Sequence, residues 1–306
     1  MTYNRSSELA ECQTQACASI STRSDRDKPA RVAYLGPPGT NTHQVAMKLN
    51  GEHIAVESIE AVFDAVTNSQ AEYGVVPVEN STYGSVVQTL DKFVECENVK
   101  AVAEVCMRIH HYLLSKHSSL QDISKVYSHP QALGQCKEWL NTHLERAERA
   151  NTFSTAEAAK LASLEEGTAA ICSKVCMELY PLNIVASNIE DSKNNQTRFL
   201  VIQSCSTSIP SPLPPPASSA VKYFIRFTVL HRPGTLCDAL QIFKQHDINL
   251  TRIDSRPSRL RPWTYVFFVE CDGDPSKTEL AVQDMLKYCT DVRVVGTYYA
   301  SDIYDE

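Results

Sequence analysis

A run of five prolines divides the sequence into two unequal parts. The prolines fall within residues 209–217, and such a run is stiff, extended and unable to take a place inside a β-sheet. The chain has 306 residues, a length typical of about two domains. We therefore predict a large domain over residues 31–203, a proline-rich linker over 204–219 and a small domain over 220–306.

The large domain alternates short apolar strands with amphipathic helices. Residues 73–78 are apolar and are predicted as a strand, whereas Ile59, Val62 and Val66 recur at the spacing of one helix face. Alternation of this kind is typical of an α/β domain with a mostly parallel sheet covered by helices on both faces.

The small domain has a different pattern. Ile225, Phe227 and Val229 alternate with polar residues, which predicts a half-buried strand. Together with the segments that follow, the predicted order is β-α-β-β-α-β, the ferredoxin-like plan.

Charge and hydropathy exclude two classes of protein. The net charge is −7 and the sequence has no basic block, which argues against nucleic acid as a partner. No apolar run approaches the ~20 residues of a membrane span, so no membrane association is predicted.

The cysteines show no pattern of disulfide pairing. The 11 cysteines are scattered along the chain, which predicts reduced thiols and a cytoplasmic protein. Cys172 and Cys176 lie four residues apart without a histidine pair at ligand spacing, so no metal is predicted. Residues 1–30 lack apolar periodicity and are predicted as a disordered extension.

Three polar segments each follow a predicted strand and precede a predicted helix. In an open sheet such segments gather at the carboxyl ends of the strands, where ligands bind, and free N–H groups at helix starts favour anions. Each alone is better explained by helix capping. Together they predict a site for a small carboxylate. The segments are Gly36-Pro37-Pro38-Gly39-Thr40, Glu79-Asn80-Ser81 and Ser128-His129-Pro130-Gln131.

A fourth polar cluster lies at the start of another predicted strand. There Thr197 precedes Arg198, so a hydroxyl donor and a fixed cation are neighbours in sequence. The alternative interpretation is an arginine on an exposed loop beside a β-forming threonine.

These segments together resemble the prephenate dehydratases, over residues 31–300. The resemblance rests on four ordered motifs, which are far more specific together than singly. They are Gly36-Pro37-x-Gly39-Thr40; Gly74-Val75-Val76-Pro77-Val78-Glu79-Asn80-Ser81 with Thr89-Leu90-Asp91; Ser128-His129-Pro130-Gln131-Ala132-Leu133; and Asn195-x-Thr197-Arg198-Phe199.

The resemblance implies a bilobed catalytic domain, similar to solute-binding proteins, with the active site between its lobes. Lobe one is expected over residues 31–105 and 190–203, and lobe two over 106–189. The implied reaction is the decarboxylating dehydration of prephenate to phenylpyruvate in phenylalanine biosynthesis, without a metal or organic cofactor.

By the same resemblance, Thr197 donates a proton to the leaving hydroxyl and Arg198 stabilises negative charge or holds a carboxylate. Further contacts to the substrate are expected from residues of the other motifs, although Glu79 is better explained as a group that orients its neighbours and His129 as one that fixes its loop. These residues are Asn80, Gln131, Ser128, Thr40, Glu79, Ser81, Thr89, His129 and Phe199.

The small domain resembles the ACT regulatory module. This resemblance implies L-phenylalanine as an allosteric inhibitor, bound where modules pair in a homodimer or homotetramer. The residues at the matching positions are Gly234, Thr235, Leu236, Asp254, Ser255, Arg256 and Pro257.

Two alternatives remain open from the sequence. An arogenate dehydratase carries the same motifs and acts on a substrate that differs only at the side-chain carbon. A non-catalytic sensor of small molecules also combines two lobes with an amino-acid-binding module, although the intact Thr197-Arg198-Phe199 motif disfavours it.

Overall fold

The structure is a computed structural model that describes residues 29–207, 209–214 and 220–304. The extension predicted over residues 1–30 lies outside the described residues except for Pro29 and Ala30. Residues 208 and 215–219 of the predicted linker also lie outside them.

Within the described residues, strands and helices alternate through the first two thirds of the chain. The strands are β1 (Arg31–Leu35), β2 (Glu52–Val56), β3 (Tyr73–Asn80), β4 (Gly84–Ser85), β5 (Val99–Arg108), β6 (Tyr112–Ser115), β7 (Lys125–Ser128), β8 (Glu148–Asn151), β9 (Thr168–Cys172), β10 (Asn183–Ala186), β11 (Gln196–Ser204), β12 (Val221–Val229), β13 (Asn249–Pro257), β14 (Tyr265–Asp272), β15 (Cys289–Tyr299) and β16 (Ile303–Tyr304). The helices are α1 (Asn41–Ala46), α2 (Ile59–Thr67), α3 (Val87–Glu95), α4 (Pro130–Gln135), α5 (Lys137–His143), α6 (Thr155–Ala162), α7 (Cys176–Leu179), α8 (Thr235–Gln245) and α9 (Pro275–Met285), with a 3₁₀ turn at Leu120–Asp122.

Lobe one is a sheet in the order β5-β11-β3-β1-β2 with helices on both faces. Val45 and Leu49 lie in the core on one face, and Phe63 and Phe93 in the core on the other. The pairs β1–β2 and β1–β3 are parallel, whereas β11 is antiparallel to both β3 and β5. The sheet is therefore mixed rather than mostly parallel. The reason is that β5 leaves this lobe and its neighbour β11 returns to it, so the two must run in opposite directions.

Lobe two is a second sheet in the order β10-β6-β9-β7-β8, which is also mixed. The chain crosses between the lobes twice, at residues 109–111 and 187–195. The lobe boundary expected at residue 105 falls inside β5, because the pairing of β5 with β11 continues to Arg108 opposite Gln196.

The small domain has the β-α-β-β-α-β order predicted from the sequence, which confirms the ferredoxin-like plan. Its strands lie in the order β13-β14-β12-β15, and α8 and α9 pack on one face through a core that includes Ile225, Phe243 and Val269.

The other face of the small domain's sheet packs against lobe one. Phe224 stacks edge-on against Phe93 of α3, with ring centroids 5.4 Å apart. The two sheets also join edge to edge, because β15 pairs in parallel with β5 at Gly296 and Ala101. A Cβ atom on Gly296 would lie 2.7 Å from the Cβ of Ala101, so only glycine allows this close approach.

Candidate active site

A cleft of about 1990 Å³ lies between the two lobes. Lobe one contributes polar residues that include Thr40, Asn80 and Thr197, and lobe two contributes His129 and Gln131. Segments far apart in sequence therefore converge on one space, as the three polar loops predicted. Phe199 supplies part of the apolar wall, and Arg259 of the small domain reaches the same cleft.

Thr197 and Asn80 form a cross-strand pair between β11 and β3. Asn80 Nδ2 donates to Thr197 Oγ1 at 2.9 Å, and Asn80 Oδ1 accepts from the backbone N–H groups of Thr82 (2.9 Å) and Tyr83 (3.0 Å). Those two N–H donors fix the orientation of the amide. Because the threonine oxygen accepts from Asn80, its own hydrogen is directed away from Asn80 and remains a potential donor in the cleft.

The structure places Arg198 on the opposite face of β11 from Thr197, which corrects the expectation that both touch the substrate. Successive side chains on a strand point to opposite faces of the sheet. The Arg198 guanidinium contacts Glu79 (2.9 Å), Glu104 (2.9 Å) and Glu270 (2.5 Å). Glu79 is thus a partner of Arg198 and is not among the residues that line the cleft.

The pKa of Arg198 remains above its usual value in this environment. Burial by itself lowers the pKa of a guanidinium, but the hydrogen bonds and negative charge of Glu270 and the charge of Glu104 outweigh it. Arg198 is therefore a fixed cation on the face of β11 that points away from the cleft.

Three other predicted site residues also lie away from the cleft. Ser128 is fully buried and donates to the Ile171 carbonyl at 2.6 Å, and Thr89 donates to the Pro77 carbonyl at 2.6 Å. Ser81 donates to the Asn194 carbonyl at 3.0 Å. Their hydroxyls bond to the backbone. The full burial of Ser128 and Thr89 corrects the expectation that they hold substrate, whereas for the exposed Ser81 this stays a prediction.

The segment that contains Asn80 does not open a helix, contrary to expectation. β3 continues through Asn80 because this residue pairs with Thr197, and α3 begins only at Val87. Thr40 and His129, in contrast, are N-caps: Thr40 accepts from the His43 N–H and His129 from that of Gln131. Burial lowers the pKa of the His129 imidazole.

The sequence analysis missed His111, which lies in the crossing segment between the lobes and lines the cleft. Its ring lies 2.6 Å (Nε2 to Oε1) from Gln135, and its backbone N–H donates to Glu190 at 2.9 Å. The one available signal was the adjacent pair His110 and His111 between two strands, and no motif contained it.

We expect the wild-type protein to lose more stability than a His111→Gln variant when the pH falls from about 7 to about 5. Burial lowers the pKa of His111 below the value of about 6.5 that it has in an unfolded chain. Below that value the unfolded state binds a proton that the folded state binds less readily, so the free energy of unfolding falls by up to about 1.4 kcal/mol per pH unit.

Thermal unfolding at both pH values measures this difference. The exposed His231 provides the control, because His231→Gln keeps the buried imidazole and should retain the wild-type pH dependence. An unchanged pH dependence in His111→Gln contradicts the assignment.

The small domain has a separate cavity of about 420 Å³. Gly234, Thr235 and Leu236, which the sequence predicts as effector-binding residues, line it together with Tyr265 and Phe267 of β14.

The other expected effector residues, 254–257 of β13, point alternately toward lobe one and toward the exposed side of the strand. Asp254 accepts from Ser85 of lobe one at 2.6 Å, and Arg256 binds Asp91 of α3 at 2.5 Å. These two side chains therefore face lobe one, which corrects the expectation that they bind the effector in this chain. Ser255 and Pro257 are exposed and alternate with them along β13.

The described residues contain neither a cluster of metal-binding side chains nor a membrane-spanning helix. Across residues 29–207, 209–214 and 220–304, no group of three His, Cys, Asp or Glu side chains is arranged to hold a metal ion. No helix in the same residues has the length and apolar character to cross a membrane.

These features define a class of protein: a two-lobed α/β domain with a polar cleft between its lobes, followed by a ferredoxin-like domain with its own cavity. The family model for prephenate dehydratase matches residues 32–207, and the model for the ACT domain matches residues 223–289. The chain belongs to the prephenate dehydratase family and carries an ACT domain, which confirms the family predicted from the four motifs.

Individual relatives agree with this assignment. The bifunctional chorismate mutase/prephenate dehydratase of Aquifex aeolicus (strain VF5) is 40% identical over 288 residues, which is 92% of this chain and 75% of that protein. The prephenate dehydratase of Amycolatopsis methanolica is 34% identical over 89% of this chain and 90% of its own length. The solved prephenate dehydratase of Arthrobacter aurescens, in complex with L-Phe, is 27% identical with a TM-score of 0.78, covering 89% of this chain and 90% of that one.

Proposed function

We propose that prephenate binds in the cleft between the lobes and that Thr197 donates the hydrogen bond or proton to its leaving hydroxyl. The reaction breaks the bond to the ring carboxylate, which leaves as CO2, and its electron pair enters the ring. The C4–O bond then breaks with its electron pair, and the oxygen leaves as water after taking up a proton. The ring becomes aromatic, so protonation of a poor leaving group is the main task of the enzyme.

The contact between Asn80 and Thr197 carries this proposal. A threonine hydroxyl is a weak acid, but a hydrogen bond donated to its oxygen stabilises the negative charge that forms as the proton moves away. Asn80 is itself held by two backbone N–H groups. We therefore assign Thr197 as the donor and Asn80 as the residue that positions and activates it.

Lobe two supplies the groups that we assign to binding. Gln131 has an amide that can donate to a carboxylate or carbonyl, and His129 orients the first turn of α4 beside it. We assign Phe199 as an apolar wall for the ring and Thr40 as a cap that holds its loop at the cleft.

We further propose that L-phenylalanine inhibits the enzyme by binding in the cavity of the ACT domain. The relative from Arthrobacter aurescens was solved with L-Phe, and the cavity here has aromatic walls beside the start of α8 at Thr235. β13 is the terminal strand of its sheet among the described residues, and we propose that ACT domains pair there in a homodimer or homotetramer. The nine described cysteines are all free thiols, which supports a cytoplasmic location.

The purified protein offered prephenate and arogenate side by side tests the proposal. We expect phenylpyruvate from prephenate, little phenylalanine from arogenate, and less phenylpyruvate when phenylalanine is added. Preferential turnover of arogenate would show that arogenate, and not prephenate, is the substrate. Absence of turnover with both, in a folded protein, would leave the sensor as the better explanation; the family assignment does not favour either alternative.

A further inference from the structure

Five charged side chains form a cluster at the junction of lobe one and the ACT domain, which we call the Arg198 cluster. Glu79, Glu104 and Arg198 come from lobe one. The ACT domain adds Glu270 from β14, which contacts Arg198 through both carboxylate oxygens at 3.0 and 2.5 Å, and Lys222 from β12, which contacts Glu104 at 2.8 Å.

The centre of the Arg198 cluster is deeply buried. The carboxylates of Glu104 and Glu270 are each 2% exposed, and the side chain of Arg198 is 17% exposed. Tyr298 of β15, also buried, donates its hydroxyl to Glu270 at 2.6 Å. Removal of one member leaves the others with an uncompensated buried charge, so the cluster strongly favours one arrangement of its parts.

The Arg198 cluster lies directly behind the proposed catalytic pair. Arg198 pairs with Glu79 across β11 and β3, and the next pair along the same two strands is Thr197 with Asn80. The two pairs point to opposite faces of the sheet. A shift of Arg198 therefore moves the backbone that carries the Thr197 hydroxyl.

The same ACT strand that carries Glu270 also contributes to the effector cavity. Tyr265 and Phe267 line that cavity, and Glu270 lies three residues beyond Phe267 on the opposite face of β14. One rigid strand thus contacts both the effector cavity and the Arg198 cluster, which gives a continuous physical connection between the two sites.

We propose that Glu270 of the ACT domain is a positioning residue for Thr197, acting through Arg198, and that this contact carries the effect of the effector on turnover. The proposal rests on the proposed function. Displacement of β14 by an effector weakens the contact between Glu270 and Arg198, and Thr197 then loses its place opposite the leaving hydroxyl.

The test compares Glu270→Gln with Arg226→Gln. The first variant keeps the shape of the side chain and removes its charge. The second removes contacts between the ACT domain and lobe one that do not involve the catalytic strand, since Arg226 Nη1 donates to the carbonyls of Phe93 (3.3 Å) and Val94 (3.1 Å). Turnover of prephenate is measured with and without phenylalanine, and phenylalanine binding is measured directly by calorimetry.

We expect Glu270→Gln to lower kcat about tenfold with KM little changed, and to reduce the inhibition by bound phenylalanine, as expected for loss of a coupling free energy of typical size. Arg226→Gln should retain the wild-type kcat and inhibition. Wild-type kcat and inhibition in Glu270→Gln would overturn the inference, as would equal losses in both variants, because the effect would then reflect domain docking in general.

A milder variant covers the case in which Glu270→Gln does not fold. Tyr298→Phe removes only the hydroxyl that Glu270 accepts from, and we expect a smaller fall in kcat and in inhibition in the same direction. No change in either quantity contradicts the proposal. Turnover by the wild-type protein in the same assay separates the two hypotheses, because its absence would refute the proposed function itself.

Discussion

We expect Thr197→Val to lower kcat about 10²–10³-fold and to leave KM within a small factor of the wild-type value, as is typical when one hydrogen-bond donor to a transition state is removed. Valine has nearly the shape of threonine, so the cleft keeps its form and only the hydroxyl is lost. The leaving oxygen gains negative charge only as its bond to C4 breaks, so the hydrogen bond from Thr197 is strongest in the transition state. Its removal therefore lowers kcat more than it raises KM. Steady-state formation of phenylpyruvate measures both parameters.

Thr197→Ser is the matched control for this prediction. Serine retains a hydroxyl that can accept from Asn80 and donate into the cleft, so we expect most of the activity to remain. If Thr197→Val turned over prephenate at the wild-type rate, the donor would have to be another group of the cleft.

We expect Asn80→Asp to lower kcat about 10²-fold near neutral pH, comparable with the loss of an oriented donor at other active sites. The two backbone N–H groups that bind Oδ1 would hold one carboxylate oxygen in the same place. The other oxygen would stand where Nδ2 now donates to Thr197, and it can only accept a hydrogen bond. The Thr197 hydroxyl would therefore turn its hydrogen toward the new carboxylate and away from the leaving oxygen.

The pH dependence of this variant distinguishes a reversed hydrogen bond from simple loss of structure. Protonation of the introduced carboxyl restores a donor, so kcat relative to wild type should recover as the pH falls toward the pKa of that group. Thermal unfolding of the variant provides the control for folding. A deficit that stays constant across the pH range would contradict this explanation.

The sequence predicted the domain plan better than it predicted the sheets. The proline run and the change from helical to alternating spacing predicted two domains of different fold class, and the predicted ferredoxin-like order was complete. The parallel sheet was wrong because the direction of β11 depends on where the chain crosses between lobes. That crossing depends on contacts between residues far apart in sequence, which no local pattern contains.

The candidate site was predicted in part, and the errors at Arg198 and Glu79 share one cause. Thr197 and Asn80 line the cleft, whereas Arg198 and Glu79, their immediate neighbours, point behind the sheet. The motifs identified runs of residues, but a strand directs alternate members of a run to opposite sides. A predicted strand that began at Gln196, two residues before Arg198, would have placed Thr197 and Arg198 on opposite faces from the sequence alone.

The same alternation explains the effector residues. Asp254 and Arg256 face lobe one, and Ser255 between them is exposed. Ser128 could not have been assigned in this way. Its hydroxyl is buried against the Ile171 carbonyl because β7 pairs with β9, and that pairing joins residues far apart in sequence.

The contact of Gly296 with Ala101 has a consequence for how such chains can be recombined. A regulatory domain that is joined to an enzyme only by a flexible linker can be exchanged for another domain without a matching surface. Here the incoming module must present a residue without a side chain at one position of its last strand, opposite a small residue on the recipient. Compatibility between donor and recipient thus includes this close fit at Gly296, beside the ion pairs and ring contacts that join the two parts.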